Sequence, residues 1–272
     1  MNWTAHEEER FQDALRQGLG WLKEAGLSWE PAGTDRMLCY ARLLVSANMR
    51  INLTAITDPE GVAWKHFIDS MLGLLVVGRA PRTSAGGEGE GNPAGEAAAW
   101  LADLGAGAGF PGVVLGLAGG WNCLEVEAQA KKAAFLRELE GLLRPGQLQV
   151  WAGRAERLAR EEAWRERLGV VVARALARLD VIAEYGMPLL REGGLLVAYK
   201  GPEGERELEL LDAFREELGV GEATVVRRRL PHDWGERLLL VLTKRGRSDP
   251  RYPRREGVPE KRPLGGRQSG KG

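Results

Sequence analysis

Cysteine is nearly absent from this chain. Only Cys39 and Cys123 occur, far apart and without C-x-x-C spacing, so neither a disulfide framework nor a thiolate zinc site is indicated. Histidine is scarce as well, with three residues, and no metal site is expected. Long apolar runs are missing: none reaches the roughly 18 residues of a membrane helix. The acidic start also lacks the basic and apolar regions of a signal peptide. These absences point away from a membrane and towards the cytoplasm. Net charge is formally +0, but the balance conceals an asymmetry. Residues 225–272 carry fourteen Lys or Arg against five Asp or Glu, a net of +9, which leaves −9 on the remainder. A basic end of this kind reads as a polyanion-binding surface, with RNA the obvious candidate. A flexible solubilising tail is the alternative. Asn, Gln and Ile are sparse while Arg, Leu, Ala and Glu abound, a composition compatible with a thermophilic source.

What is present is a soluble, core-forming composition, 44% hydrophobic and 28% charged over 272 residues. That length suffices for one large core, or a core with a small appendage. Residues 1–81 read as an N-terminal helical region. Phe11, Leu15, Leu19 and Leu22 form one helical stripe between Glu7 and Ala25. Thr34 is a plausible N-cap for a helix through Val45, and Asp58-Pro59 opens a further helix to about Val77. Residues 82–99, rich in Gly, Ala, Glu and Ser, read as a linker or long loop. From 100 to 246, apolar strands near 122–127, 148–151, 170–173 and 195–199 alternate with helical patterns at 130–143, 154–167 and 179–190. Alternation of this kind requires a parallel sheet covered on both faces. The runs 223–229 and 237–244 flank Pro231-His232-Asp233-Trp234-Gly235, a turn that pairs them antiparallel. Residues 247–272, dominated by Pro, Gly and charge, read as a basic and largely flexible tail with no core of its own.

The most informative segment is Asp103-Leu104-Gly105-Ala106-Gly107-Ala108-Gly109-Phe110-Pro111-Gly112. An apolar run precedes it and another follows, so it reads as strand, glycine loop and helix, the place where an open α/β sheet holds a nucleotide. Glycine is needed because the turn is tight and the ligand must approach bare backbone. Asp103 decides between nucleotides. A carboxylate there repels a pyrophosphate but can accept hydrogen bonds from a cationic ammonium, such as the methionine end of S-adenosylmethionine. The loop therefore favours a methyl donor over NAD. Glu127 stands at the end of the next strand, about twenty residues on, where an acid chelates ribose hydroxyls. Glu125, two residues earlier, is read as a solvated strand residue. Ala155-Glu156 follows the third strand, facing the adenine. An acidic helix start explains Glu156 equally well, and both uses can hold at once.

Arg174 follows the fourth strand, where open sheets place substrate. Methyltransferases acting on an amino group often carry acids or amides there, since the amine must lose a proton. An arginine suits a ring nitrogen with a free lone pair, which loses none; a structural salt bridge is the other use of such a residue. Asn52 and Lys65, His66 and Asp69 complete the polar group, with Asp69 one turn after Lys65.

With these segments in view, the chain resembles the RsmG (GidB) family of bacterial 16S ribosomal RNA guanine-N7 methyltransferases. The residues that carry the resemblance are Asn52-Leu53-Thr54-Ala55-Ile56, Lys65-His66 with Asp69-Ser70, and Asp103 to Gly112. It continues through Lys131-Lys132, Phe135-Leu136, Arg154-Ala155-Glu156, Arg174-Ala175, Lys200-Gly201 and Tyr252-Pro253-Arg254. The resemblance implies an α/β class I methyltransferase fold: a doubly wound, mostly parallel sheet with an antiparallel terminal hairpin, preceded by a small helical region. It implies S-adenosylmethionine as donor and a guanine of the 16S decoding region as target, with naked 16S rRNA or a small-subunit assembly intermediate as partner, no DNA, and a monomer. Expected cofactor contacts are Asp103, Gly105, Gly107, Gly109, Phe110, Glu127, Ala128, Ala155, Glu156 and Arg174. Arg174, His66, Lys65 and Asn52 are expected to position the base, with no general base required. Family members usually carry Asp-Ser where this chain has Glu127-Ala128. Two other readings stay open: a methyltransferase acting on a small molecule or protein, and a non-catalytic nucleotide-binding assembly factor that associates with RNA.

Overall fold

The computed structural model describes residues 3–78 and 100–266. The whole of the glycine-rich segment assigned to 82–99 therefore lies outside the described residues, as does the end of the tail. The chain opens with helix α1 (Ala5–Glu24), whose start is fixed by a capping box: Thr4 Oγ1 accepts from the Glu7 N–H, and Glu7 takes the Thr4 N–H in return. Its stripe of Phe11, Leu15 and Leu22 is buried. A short turn α2 (Pro31–Thr34) leads into α3 (Met37–Ile51), which ends at Asn52 in the left-handed conformation, φ 46°. Asp58 caps α4 (Pro59–Val62) by accepting from the Gly61 N–H.

The helix expected from Asp58 to Val77 is interrupted. After α4 the chain takes a wide π-helical turn over Ala63–Ile68, then short helices α5 (Asp69–Met71) and α6 (Leu74–Val77). Wide turns of this kind re-aim side chains and recur at functional sites. This one carries Lys65 and His66.

Beyond it lies a seven-stranded sheet in the order β3-β2-β1-β4-β5-β7-β6. Strands β1 (Trp100–Leu104), β2 (Asn122–Glu127), β3 (Leu148–Ala152), β4 (Leu168–Arg174) and β5 (Leu190–Lys200) are parallel. The hairpin β6 (Val220–Arg229) and β7 (Glu236–Lys244) completes the edge, with β7 antiparallel to both neighbours. Helices α7 (Gly112–Gly119) and α8 (Ala130–Glu138) follow β1 and β2. Short α9 (Ala155–Leu158) and then α10 (Leu179–Gly186) follow β3 and β4. The pattern read as a helix over 154–167 yields only α9, because Glu166 adopts φ 55° and the intervening residues form turns. A 3-10 segment, Pro202–Phe214, and helix α11 (Arg215–Leu218) intervene before the hairpin. Two apolar clusters cover the sheet: one joins the N-terminal helices to α7 and α8, the other lies against α10. Strand order reverses between β1 and β4, so the crevice for a ligand opens at their carboxyl ends.

Two expectations are corrected. The segment 247–266 is docked along the domain and is not a loose tail. Tyr252 is buried in the second core. Arg254 pairs with both carboxylate oxygens of the fully buried Glu184, and the tail's backbone is met by Arg160, Arg165 and Asp180. The domain supplies these partners, so the tail's own composition could not reveal them. It ends in the short helix α12 (Val258–Lys261).

Glu125 is likewise not solvated. It is 0% exposed, because β2 is an inner strand, and neither carboxylate oxygen has a hydrogen-bond partner among the described residues. Burial and the neighbouring Asp103 push its carboxyl well above the ordinary range. A group held protonated in the fold but free to ionise when unfolded costs stability as pH climbs above its unfolded value near 4.5. Glu125→Leu should therefore raise the melting temperature at pH 8 by the equivalent of about 1–3 kcal/mol. That gain should shrink towards pH 4. A difference between the two proteins that is constant over that range would mean that Glu125 is ionised and compensated in the fold.

Candidate active site

Two cavities open at the carboxyl edge of the sheet and meet at Gly105, Gly107 and Ala175, which line both. The first, about 370 Å³, lies towards β2 and β3. Glu127, Ala128, Lys132, Gly153, Arg154, Ala155, Glu156, Tyr185 and Glu260 surround it. The second, about 520 Å³, lies towards β4 and β5 and is bounded by Thr54, Lys65, His66, Asp69, Phe110, Arg174, Lys200 and Arg237. The glycine loop is the wall between them. Gly105 and Gly107 adopt φ 69° and 58°, a region that L side chains rarely occupy.

On the first side, Glu127 sits where β2 ends. Its carboxylate accepts from the Gly107 N–H at 3.0 Å and the Gln129 N–H at 2.7 Å, so it both braces the loop and faces the cavity. Glu156 is 2% exposed and accepts from the Gly257 N–H of the docked tail at 2.8 Å. Tyr185 lines the same cavity, and its buried hydroxyl has no hydrogen-bond partner among the described residues. Burial raises that phenol above its ordinary range.

Asp103 departs from its expected place. It lines neither cavity and is 0% exposed. Its Oδ2 accepts from the Gly112 N–H at 2.8 Å, at the start of α7, while Oδ1 has no partner among the described residues. Strand alternation turns it beneath the loop, beside Glu125 in register on β2, and burial pushes its carboxyl up. Asp103 shapes the loop from below. Gly109 is also turned away from the cavities: a Cβ on it would stand 2.6 Å from the Tyr40 hydroxyl, so that glycine serves packing.

On the second side the central group is Asp69, fully buried and shared by two arginines. Arg174, the last residue of β4, donates from Nη1 to Asp69 Oδ2 at 2.8 Å and to the Lys65 carbonyl at 3.0 Å. Arg237, at the start of β7, donates from Nε to Asp69 Oδ1 at 2.5 Å. Arg174 Nη2 also lies 3.4 Å from His66 Nδ1, and His66 Nε2 is 2.8 Å from Thr54 Oγ1. Arginine can only donate, so Nδ1 accepts and the ring proton is assigned to Nε2, directed at Thr54. Burial, reinforced by Arg174, lowers the His66 pKa to about 3. The imidazole is therefore neutral near pH 7.

Phe110 is sandwiched, its ring 4.9 Å from Tyr40 and 4.7 Å from His66, both stacked, with the Arg174 guanidinium 5.3 Å from its centroid. Its two faces are thus taken by the protein. Lys65 Nζ stands over the Trp234 ring at 5.5 Å.

The structure brings together Lys65, His66, Phe110 and Arg174, but not Asn52. That residue is exposed, lines neither cavity and serves as the left-handed terminus of α3. Its neighbour Thr54 takes the place, held by Asn48, whose side chain accepts from the Leu53 and Thr54 N–H groups. The sequence reading also missed Arg237, Lys200 and Glu260. Arg237 carries a usable signal: β7 runs antiparallel, so its first residues arrive at the edge where the parallel strands end. Among the described residues, no group of three His, Cys, Asp or Glu is placed to hold a metal ion.

A family model described as rRNA small subunit methyltransferase G matches residues 34–229. The ribosomal RNA small subunit methyltransferase G of Symbiobacterium thermophilum is 39% identical over 267 residues, covering 93% of this chain and 98% of that protein. Its counterpart from Moorella thermoacetica is 37% identical over 255 residues, covering 93% of this chain and all of that protein. Among solved structures, a Thermus thermophilus 16S rRNA N2 methyltransferase aligns with 61% of this chain and 38% of its own, at 18% identity and a TM-score of 0.40. Over most of its length, this chain belongs to the rRNA small subunit methyltransferase G family.

Proposed function

We propose that this chain transfers the methyl group of S-adenosylmethionine to N7 of a guanine in 16S ribosomal RNA. The nucleoside end of the donor would lie in the cavity of Glu127 and Glu156, and the target base in the cavity of Arg174. The carrying observation is the pair of cavities joined at Gly105, Gly107 and Ala175, with Glu127 and Glu156 beside Lys132 and Arg154 on one side and Lys65, Arg174, Lys200 and Arg237 around Asp69 on the other. Family membership supports methyl transfer to small-subunit ribosomal RNA. The donor supplies an electrophilic methyl group on a sulfonium.

The residues present fit such a ligand. Glu127 would take ribose hydroxyls, Ala128, Ala155 and Glu156 would bound the base, and Gly105 and Gly107 would admit the donor's methionine arm along bare backbone. On the acceptor side, N7 attacks with its lone pair, so no proton has to leave before methyl transfer. The site agrees with that demand. His66 is neutral but not basic near pH 7, and Asp69 is saturated by two guanidinium groups. Lys65, Arg174, Lys200 and Arg237 offer N–H donors to O6 or to phosphates, which leaves N7 free. Rate would come from alignment and charge complementarity. N7 is shielded in A-form duplex, so the target must be looped or flipped out. We read the protein as a cytoplasmic monomer; among the described residues, no helix is long and apolar enough to cross a membrane.

Three outcomes test this reading. Gly107→Val places a β-branched residue at φ 58° with its side chain in the space between the cavities. It should weaken S-adenosylmethionine binding by roughly tenfold or more, and unchanged calorimetric affinity would move the ligand elsewhere.

Arg174→Lys keeps the charge but loses the fork. We expect single-turnover methylation to slow by about 10²-fold with donor affinity kept. Asp69→Ala should cost about 3–5 kcal/mol of stability by leaving two guanidinium groups without their buried partner. A lysine variant as fast as wild type would reduce Arg174 to simple attraction.

The pH–rate profile should show no limb between pH 6 and 8 that His66→Asn removes. Because the folded pKa of His66 is near 3 against 6.5 in the free side chain, its contribution to stability is complete above pH 6.5. It fades as pH falls from there towards 3, so acid melts of wild type and His66→Asn should diverge only in that range. A rate that requires titration of His66, or methyl groups mapped to an exocyclic amine, would overturn the mechanism.

A further inference from the structure

The wall of the nucleoside cavity is completed from an unexpected part of the chain. Glu260 lines that cavity although the other lining residues lie between Gly105 and Tyr185. Its side chain is 45% exposed at the rim and stands 3.6 Å from Arg154 Nη1. Just before it, the Gly257 N–H donates to Glu156 Oε1 inside the protein. The segment is anchored a few residues earlier, where Arg254 donates from its backbone N–H, Nε and Nη2 to the buried Glu184. Glu184 is followed by Tyr185, whose buried hydroxyl, in the wall of the same cavity, has no partner among the described residues. Anchor, strap and cavity wall are thus continuous.

We infer that residues 254–260 are the outer wall of the donor site: the Gly257–Glu156 bond orients the Glu156 carboxylate, and Glu260 contributes an acceptor at the rim. With Glu127, three carboxylates line this cavity of about 370 Å³, beside the cationic Lys132 and Arg154. These acceptors suit the O–H and N–H donors of a nucleoside. The inference rests on the donor reading given above. It assigns the docked segment to donor binding, although its sequence alone suggested an RNA-binding extension.

The test compares full-length wild type, Gly257→Pro and Glu260→Lys by titration with S-adenosylhomocysteine, together with donor KM and kcat. Gly257 sits at φ 71°, which proline cannot adopt, and proline also removes the N–H. The change detaches the strap while sparing the Arg254 anchor and buried Tyr252. Each variant should bind roughly fivefold to tenfold more weakly, with the loss in donor KM and kcat nearly unchanged. Glu260 is at the rim, so its variant should melt like wild type without ligand and decides the matter if Gly257→Pro folds poorly. Wild-type affinity in Glu260→Lys together with wild-type affinity in a folded Gly257→Pro would overturn the inference alone. If wild type itself fails to bind S-adenosylhomocysteine, the donor reading falls and takes the inference with it.

Discussion

Asp69 is the constraint on which the acceptor side depends. A carboxylate with no exposure to water is tolerable only when its charge is matched and its lone pairs are filled, and here two arginines do both. Those arginines come from opposite ends of the chain's order: one closes β4, the other opens β7. The carboxylate itself belongs to the N-terminal helices. One buried charge therefore joins three parts of the molecule, and the orientation of Arg174 is inherited from it. With Asp69 paired, Arg174 also fixes the tautomer of His66, and His66 in turn stacks on Phe110. The cavity of Arg174 is a chain of such dependencies, running from one carboxylate through two guanidinium groups to a neutral imidazole.

A second constraint governs the loop. Its glycines are not equivalent. Gly107 leaves open space at the junction of the cavities and Gly105 leaves room for Leu176, whereas Gly109 and Gly112 leave room for Tyr40, Asp103 and Glu125 beneath. The acids under the loop are part of its support: Asp103 holds the first N–H of α7, while Glu127 holds Gly107 from the neighbouring strand. The carboxylate pattern that singles out this loop is thus divided between one acid that faces a cavity and one that shapes the backbone.

The mostly parallel sheet, its terminal hairpin and the position of the glycine loop were legible in the sequence, because alternating apolar runs and turn residues report them directly. That Glu127, Ala128, Glu156, His66 and Arg174 lie at the carboxyl edge, where they line the two cavities, was legible from their places near strand ends or on the helical segment after Asp58. Asp103 was misplaced because period-two alternation does not say which face of a doubly covered strand the ligand occupies. Asn52 was preferred over Thr54 although the two share one motif, since only the left-handed turn at Asn52 shows which of them points inward. The tail was misread because its order comes from Asp180 and Glu184, two acids one helical turn apart on a buried face. Acids on the apolar face of a helix are a signal that something basic must meet them, and here it was the Arg254 region.

The stack of Tyr40, Phe110 and His66 has an evolutionary consequence. It threads an aromatic from the ligand loop between residues of two N-terminal helical segments, so the preceding helices are not a detachable accessory to the sheet. A lineage could not exchange this loop for one of another shape without a compensating change some seventy residues upstream. Recombination between this family and other sheet-based transferases would have to move helices and loop as one heritable block, and divergence would run most freely outside that block.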